Sequence, residues 1–160
     1  MVVSGKVSHE LEVEVSASQA WNLYGTLALA KLVEQTLTDF IHKIEVVQGD
    51  GEVGTILKLT FAPGIAGPGW QKEKFTVIDN EKRVKEVELI EGGFLESGFT
   101  FYLVRFEIIE TATPSSSCII KTSLEYELKE EAAANASFVS INTFANIAQI
   151  AKNHLLENKE

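Results

Sequence analysis

The 160-residue chain holds a single cysteine, Cys118. It cannot close an internal disulfide, so a reducing compartment is the natural expectation. It lies in the apolar run Cys118-Ile119-Ile120, which reads as a strand interior. A small buried hydrophobe is expected there rather than a reactive thiol. Basic residues are scarce: 14 Lys and Arg stand against 23 Asp and Glu, for a net charge of -9. With no dense basic cluster, the surface repels phosphate backbones and anionic lipid, which argues against nucleic-acid and membrane partners. No apolar run approaches the ~20 residues of a membrane span. Met1 to Lys6 carries no apolar h-region, so no signal peptide is expected and the cytoplasm is the default. Position 2 is Val2, which removes the myristoylation signal.

Chemical motifs are equally thin. His9, His42 and His154 are isolated and show no metal-ligand spacing. G-x-S-x-G, P-loop and C-x-x-C patterns are absent, so no cofactor or metal is expected. Asn135-Ala136-Ser137 matches a glycosylation sequon but lies in an Ala-rich helical stretch, and no glycan is expected. Gly49 to Gly54 matches G-x-G-x-x-G. A dinucleotide site needs a helix after the last glycine. The alternating, β-prone Ile56-Leu57-Lys58-Leu59-Thr60-Phe61 follows instead, so the glycines are assigned to a turn.

What is present is a periodic, core-forming chain. Apolar residues make up 45%, enough for a sizeable core in one domain spanning residues 1–160. Val7, His9, Leu11, Val13 and Val15 alternate with Lys6, Ser8, Glu10, Glu12 and Glu14 and predict a half-buried strand over 6–15. Ser16 and Ser18 offer helix caps before Ala20 to Tyr24, and a second short helix is expected from Leu27 to Thr36. Further strands are expected at Phe40 to Val47, 56–61, 70–79, 83–91, 99–111 and 117–128. Turn chemistry joins them at Asp79-Asn80-Glu81, Gly92-Gly93 and Thr113-Pro114-Ser115. Glu130 to about Leu155 lacks glycine and proline, and Phe138, Ile141, Phe144, Ala148, Ala151 and Leu155 recur at helical spacing. The predicted class is α+β: a curved antiparallel sheet around one long C-terminal helix, with a small organic ligand held between them.

Strand parity then selects polar groups. Gln71, Glu73, Phe75 and Val77 share one face of their strand, and Lys85, Val87 and Leu89 share one face of the next. Tyr102, Val104, Phe106 and Ile108 do the same in the strand over 99–111. If the apolar faces point inward, so do Gln71, Glu73 and Lys85. A carboxylate and an ammonium turned into an apolar interior cost several kcal/mol unless paired or neutralised. Burial raises the pKa of the first and lowers that of the second, which suits proton transfer near neutral pH. A buried or rim ion pair, with Lys85 reaching out to solvent, is the competing structural reading.

The residues so reached resemble a known family. Gly49-Asp50-Gly51-Glu52-Val53-Gly54-Thr55 and Ile90-Glu91-Gly92-Gly93 resemble the Bet v 1 family of pathogenesis-related class-ten plant proteins. His9 to Val13, Lys72-Glu73-Lys74-Phe75 and Leu124-Glu125-Tyr126 extend the likeness, which within the family is greatest to norcoclaurine synthases. The resemblance implies a seven-stranded curved antiparallel sheet, two short helices, a long C-terminal helix and an internal cavity. It implies a Pictet–Spengler condensation of dopamine with an arylacetaldehyde. The family lysine falls on Lys85, for proton transfer as the carbinolamine forms and dehydrates, and the family glutamate falls on Glu73, which takes the ring proton. The family tyrosine position holds Gln71 and the aspartate position holds Val104. Gln71-Lys72-Glu73 also resembles the Gln-Arg-Glu of cytokinin- and gibberellin-binding relatives, which implies a non-catalytic hormone carrier as the alternative. The expected ligand contacts are Gln71, Glu73, Lys85, Tyr102, Val104, Phe106, Ile141, Phe144 and Ala148. A monomer or weak homodimer is expected.

Overall fold

The computed structural model describes residues 1–65, 69–111 and 116–159. The expected turn at Thr113-Pro114-Ser115 lies outside these residues. Seven strands form one antiparallel sheet: β1 (Val2–Val13), β2 (Ile41–Gln48), β3 (Ile56–Phe61), β4 (Trp70–Asp79), β5 (Val84–Gly92), β6 (Phe99–Glu110) and β7 (Cys118–Lys129). Their spatial order is β1-β7-β6-β5-β4-β3-β2, so only the β1–β7 pairing departs from a meander. Helices α1 (Ala17–Tyr24) and α2 (Ala28–Thr36) connect β1 to β2, and α3 (Asn142–Glu157) closes the chain.

Local chemistry sets these boundaries. The Ser16 hydroxyl accepts the Gln19 amide at 3.1 Å, a side-chain N-cap that starts α1. Between β2 and β3 the glycines adopt φ of 90°, 108° and 97° at Gly49, Gly51 and Gly54, a region costly for residues with a Cβ. The loop satisfies itself: the Gly51 amide donates to Thr55 Oγ1 at 2.8 Å, and that hydroxyl donates to the Glu52 carbonyl at 2.6 Å. A strand follows, as expected, so this glycine loop has no helix N-terminus to present to a phosphate.

The sheet's inner face carries the core. Val87 and Leu89 of β5, Tyr102, Val104, Phe106 and Ile108 of β6, and Ile120 and Leu124 of β7 are all buried against Ile147, Ala148, Ala151 and Leu155 of α3. The free edge of β2 is capped by α2, whose Glu34 carboxylate accepts the Ile44 amide at 2.7 Å. That contact removes one strand donor from the edge and discourages pairing with another chain. Cys118 is fully buried, and burial pushes its thiol up to about 11. Among the described residues no helix is long and apolar enough to cross a membrane, and no metal-binding cluster occurs.

Two expectations need correction. The helix predicted from Glu130 begins only at Asn142. Residues Glu130–Phe138 form a 3-10 helix, after which Val139 is extended. Asn135 Nδ2 donates to the Ser97 carbonyl at 2.8 Å, tying this segment to the β5–β6 connection. The Ser140 hydroxyl then accepts the Asn142 amide at 3.1 Å and restarts the chain as an α-helix. Phe138, placed on the helix stripe by spacing, is instead 56% exposed. The second correction lies in β4. The pairing with β5 shifts register between Phe75 and Val77, so Val77 is exposed and Ile78 packs on the core. A second shift, between Lys72 and Glu73, places its extra residue, Ile90, on β5, so Gln71, Glu73 and Phe75 keep their shared face on β4.

Candidate functional site

A cavity of about 540 Å³ opens between the sheet, α2 and α3. That volume lies within the ~300–1,000 Å³ of small-molecule sites. Of the sequence-predicted residues, Gln71, Glu73, Lys85, Tyr102, Phe106 and Phe144 line it. Val104, Ile141 and Ala148 do not. Val104 sits beside Val87 on β5 and between the longer side chains of Tyr102 and Phe106, which reach past it. Ala148 is fully buried against the sheet, and Ile141 packs on the core at the start of α3.

Three adjacent central strands place the polar groups. Glu73 on β4 pairs with Leu89 on β5 and Leu57 on β3. Lys85 lies four residues back along β5, roughly 13 Å from Leu89 at the usual strand rise. The lysine closes that distance with its own length, since its Nζ lies 3.9 Å from the centroid of the Phe75 ring. Phe75 is the next inward residue after Glu73, so ammonium and carboxyl occupy successive positions along β4. No ion pair within 4.0 Å joins them among the described residues.

Each charge has its own support. Lys85 Nζ donates to the Tyr24 carbonyl at 3.1 Å and the Thr26 carbonyl at 3.4 Å. These are carbonyls at and just beyond the C-terminus of α1, where the helix dipole is negative. With the Phe75 ring they stabilise a cation that is only 3% exposed. Burial still dominates and lowers the lysine pKa to about 8, with the charge of Glu73 opposing the shift. Burial raises the carboxyl of Glu73, against smaller lowering effects from the Gln71 hydrogen bond and from Lys85. Glu73 is partly accessible, and as a lining residue the surface it keeps faces the cavity. Gln71 Nε2 donates to Glu73 Oε2 at 2.8 Å. Gly93 makes that position possible, because a Cβ there would collide with the Gln71 amide oxygen. Burial raises the Tyr102 phenol, and the nearby Glu73 charge raises it further. Its ring stacks at a tilt on Phe94, 4.9 Å between centroids.

The other half of the cavity was not picked out from the sequence. Leu29, Val33 and Leu37 of the α2 region, Ile41 and Ile44 of β2, and Leu57 and Leu59 of β3 form an apolar wall. The signal was available for β3, where Leu57, Leu59 and Phe61 alternate with Ile56, Lys58 and Thr60. For α2 the helical period alone could not tell a cavity face from a solid core. Trp21 and Trp70 lie elsewhere: Trp21 Nε1 donates to Asn80 Oδ1 at 2.9 Å, and Trp70 lies beneath Lys58 Nζ.

Comparison with known proteins supports this architecture. Norbelladine synthase of Narcissus pseudonarcissus is 48% identical over 157 residues, covering 98% of this chain and 95% of that protein. S-norcoclaurine synthase 2 of Papaver somniferum is 38% identical over 160 residues, covering 99% of this chain and 68% of that protein. Among solved structures, norcoclaurine synthase of Thalictrum flavum in complex with dopamine and hydroxybenzaldehyde superposes with a TM-score of 0.87 at 39% identity, covering 99% of this chain and 90% of that one. The model of the pathogenesis-related protein Bet v 1 family matches residues 2–158, and the chain belongs to that family.

Proposed function

We propose that the chain condenses an aromatic amine with an aryl aldehyde inside the cavity, as a norcoclaurine-synthase-like enzyme. One observation carries this reading: a single lysine and a single glutamate are the only charged residues lining the cavity among the described residues, and burial moves both pKa values towards neutrality. The relative solved with dopamine and hydroxybenzaldehyde bound supports the reactant classes.

The chemistry follows from the positions. The amine nitrogen attacks the aldehyde carbon, a C–N bond forms, and the nitrogen's proton passes to the oxygen to give a carbinolamine. Lys85, mostly protonated below a pKa of about 8, donates a proton to that hydroxyl as the C–O bond breaks. Water leaves and an iminium remains. The electron-rich ring of the amine then attacks the iminium carbon, and the C=N electrons return to nitrogen. Glu73 takes the ring proton and restores aromaticity. One water is released and no redox change occurs. Gln71 orients the Glu73 carboxyl, leaving its second oxygen for the substrate.

The experiment is to incubate the protein with dopamine and 4-hydroxyphenylacetaldehyde and to detect the tetrahydroisoquinoline chromatographically against a protein-free control. Product above background is expected, and a rate equal to the control would overturn the reading. A second reading, a hormone or alkaloid carrier, is favoured by one feature: the Gln71–Glu73 amide–carboxyl pair offers a donor and acceptor to a ligand without needing turnover. Tight binding of a cytokinin or gibberellin with no condensation would select it.

A further inference from the structure

We infer that the carbonyl partner of this condensation is an apolar aldehyde, alkyl or unsubstituted aryl, seated against the wall formed by α2, β2 and β3. The inference rests on the condensation reading above and assigns the two reactants to opposite halves of the cavity.

The halves differ in chemistry. Gln71, Glu73, Lys85 and Tyr102 come from β4, β5 and β6, which are consecutive in the sheet. Ser97, Ser140 and Thr143 add hydroxyls from the β5–β6 connection and the start of α3. From β3 through β2 to α2 every lining side chain is a hydrocarbon, including Leu57, Leu59, Ile41, Ile44, Val33 and Leu29. The backbone offers little more. The Ile41 amide donates to the Leu37 carbonyl at 2.9 Å, and the Ile44 amide is taken by Glu34. Leu57 and Leu59 pair directly with Glu73 and Gln71, so the change from polar to apolar falls between β4 and β3. From β4 to β2 is two strand spacings, roughly 10 Å, enough for one aryl or short alkyl group.

The mechanism fixes which reactant goes where. The ring that loses its proton must lie at Glu73, and that ring belongs to the amine. The substituent on the former carbonyl carbon is left to extend the other way, onto the wall. A hydroxyl on that substituent would give up its hydrogen bonds to water and find none in return. The expected penalty is about tenfold to a hundredfold in specificity.

The test measures kcat/KM with saturating dopamine for phenylacetaldehyde and for 4-hydroxyphenylacetaldehyde. Phenylacetaldehyde is expected to be preferred at least about tenfold. Val33→Thr adds a hydroxyl to the wall at nearly constant shape, and that hydroxyl can rest on the carbonyl one helical turn back in the absence of ligand. This variant, checked for an unchanged melting profile, should narrow the ratio. Equal or reversed preference in the wild type, or a ratio unmoved by Val33→Thr, overturns the wall assignment while leaving the condensation intact. If neither aldehyde turns over, the condensation reading fails. Calorimetric binding of the two aldehydes then decides the wall separately: tighter phenylacetaldehyde supports it, and equal affinity overturns it.

Discussion

Replacing Lys85 by Met separates catalysis from folding in one variant. Met keeps an unbranched apolar stem and removes the ammonium that lies over Phe75. With the acid gone, condensation should fall by about 10²- to 10⁴-fold. Stability should behave otherwise. The lysine pKa drops from 10.5 to about 8 on folding. The protonated lysine is therefore disfavoured in the native state, and this cost is complete below pH 8. It fades as pH rises and disappears above the unfolded pKa. At pH 7 it amounts to about 3 kcal/mol, and at pH 10 to about 1 kcal/mol. Losing the donor to the Tyr24 and Thr26 carbonyls costs about 1–3 kcal/mol at either pH, so the variant should be close to wild type in stability at pH 7. Between pH 7 and pH 10 the wild type should gain about 2 kcal/mol on the variant. Urea unfolding at the two pH values reads this difference, and groups common to both proteins largely cancel. A flat difference would mean that Lys85 is not desolvated. Turnover within tenfold of wild type would mean that it is not the acid.

Glu73→Gln should abolish ring closure while leaving the imine-forming steps measurable, by trapping with cyanoborohydride. Because the native carboxyl is raised, its ionisation costs stability above the unfolded pKa, so the variant should gain on the wild type as pH rises from 4 to 7 in urea melts. Gln71→Leu removes a hydrogen bond that lowers the Glu73 pKa, so the acidic limb of the kcat profile should move to higher pH. An unmoved limb would deny Gln71 its positioning role.

The sheet was legible because one physical rule governs most of it. Side chains alternate faces along a strand, and Lys85, Val87 and Leu89 or Tyr102 to Ile108 follow that rule without interruption. It failed at Val77, where the β4–β5 register shift turns the next residue inward. A two-residue period carries no mark of such a bulge. The C-terminal region failed for another reason. Absence of glycine and proline permits a helix over Glu130 to Phe138 but does not choose its pitch. Gly98 leaves room for Ala132 to come close, and Asn135 reaches Ser97, so tertiary contacts select the tighter 3-10 form. Cavity and core also look alike in sequence. Val104 and Ala148 satisfy the same periodicities as Phe106 and Phe144, yet only the latter two line the cavity, and Val87, the same residue type as its partner Val104, lines it too.

The two departures from the resembled pattern now acquire physical content. Gln71 does not leave a gap, because its amide is spent on Glu73 in space that Gly93 vacates. Val104 lies off the cavity, so no second carboxylate lines it. One positive and one negative group therefore share a cavity in which burial moves both pKa values towards neutrality. In the condensation proposed above, a proton passed from Lys85 through the substrate to Glu73 would leave the net charge of the cavity the same at the end as at the start. In a low-dielectric enclosure that neutrality matters, since an uncompensated charge costs several kcal/mol there. A carboxylate brought into the lining would make the cavity anionic and hold Lys85 protonated more firmly, favouring amine binding over proton release. With no carboxylate at position 104, Glu73 is the charge that opposes the burial lowering the Lys85 pKa to about 8.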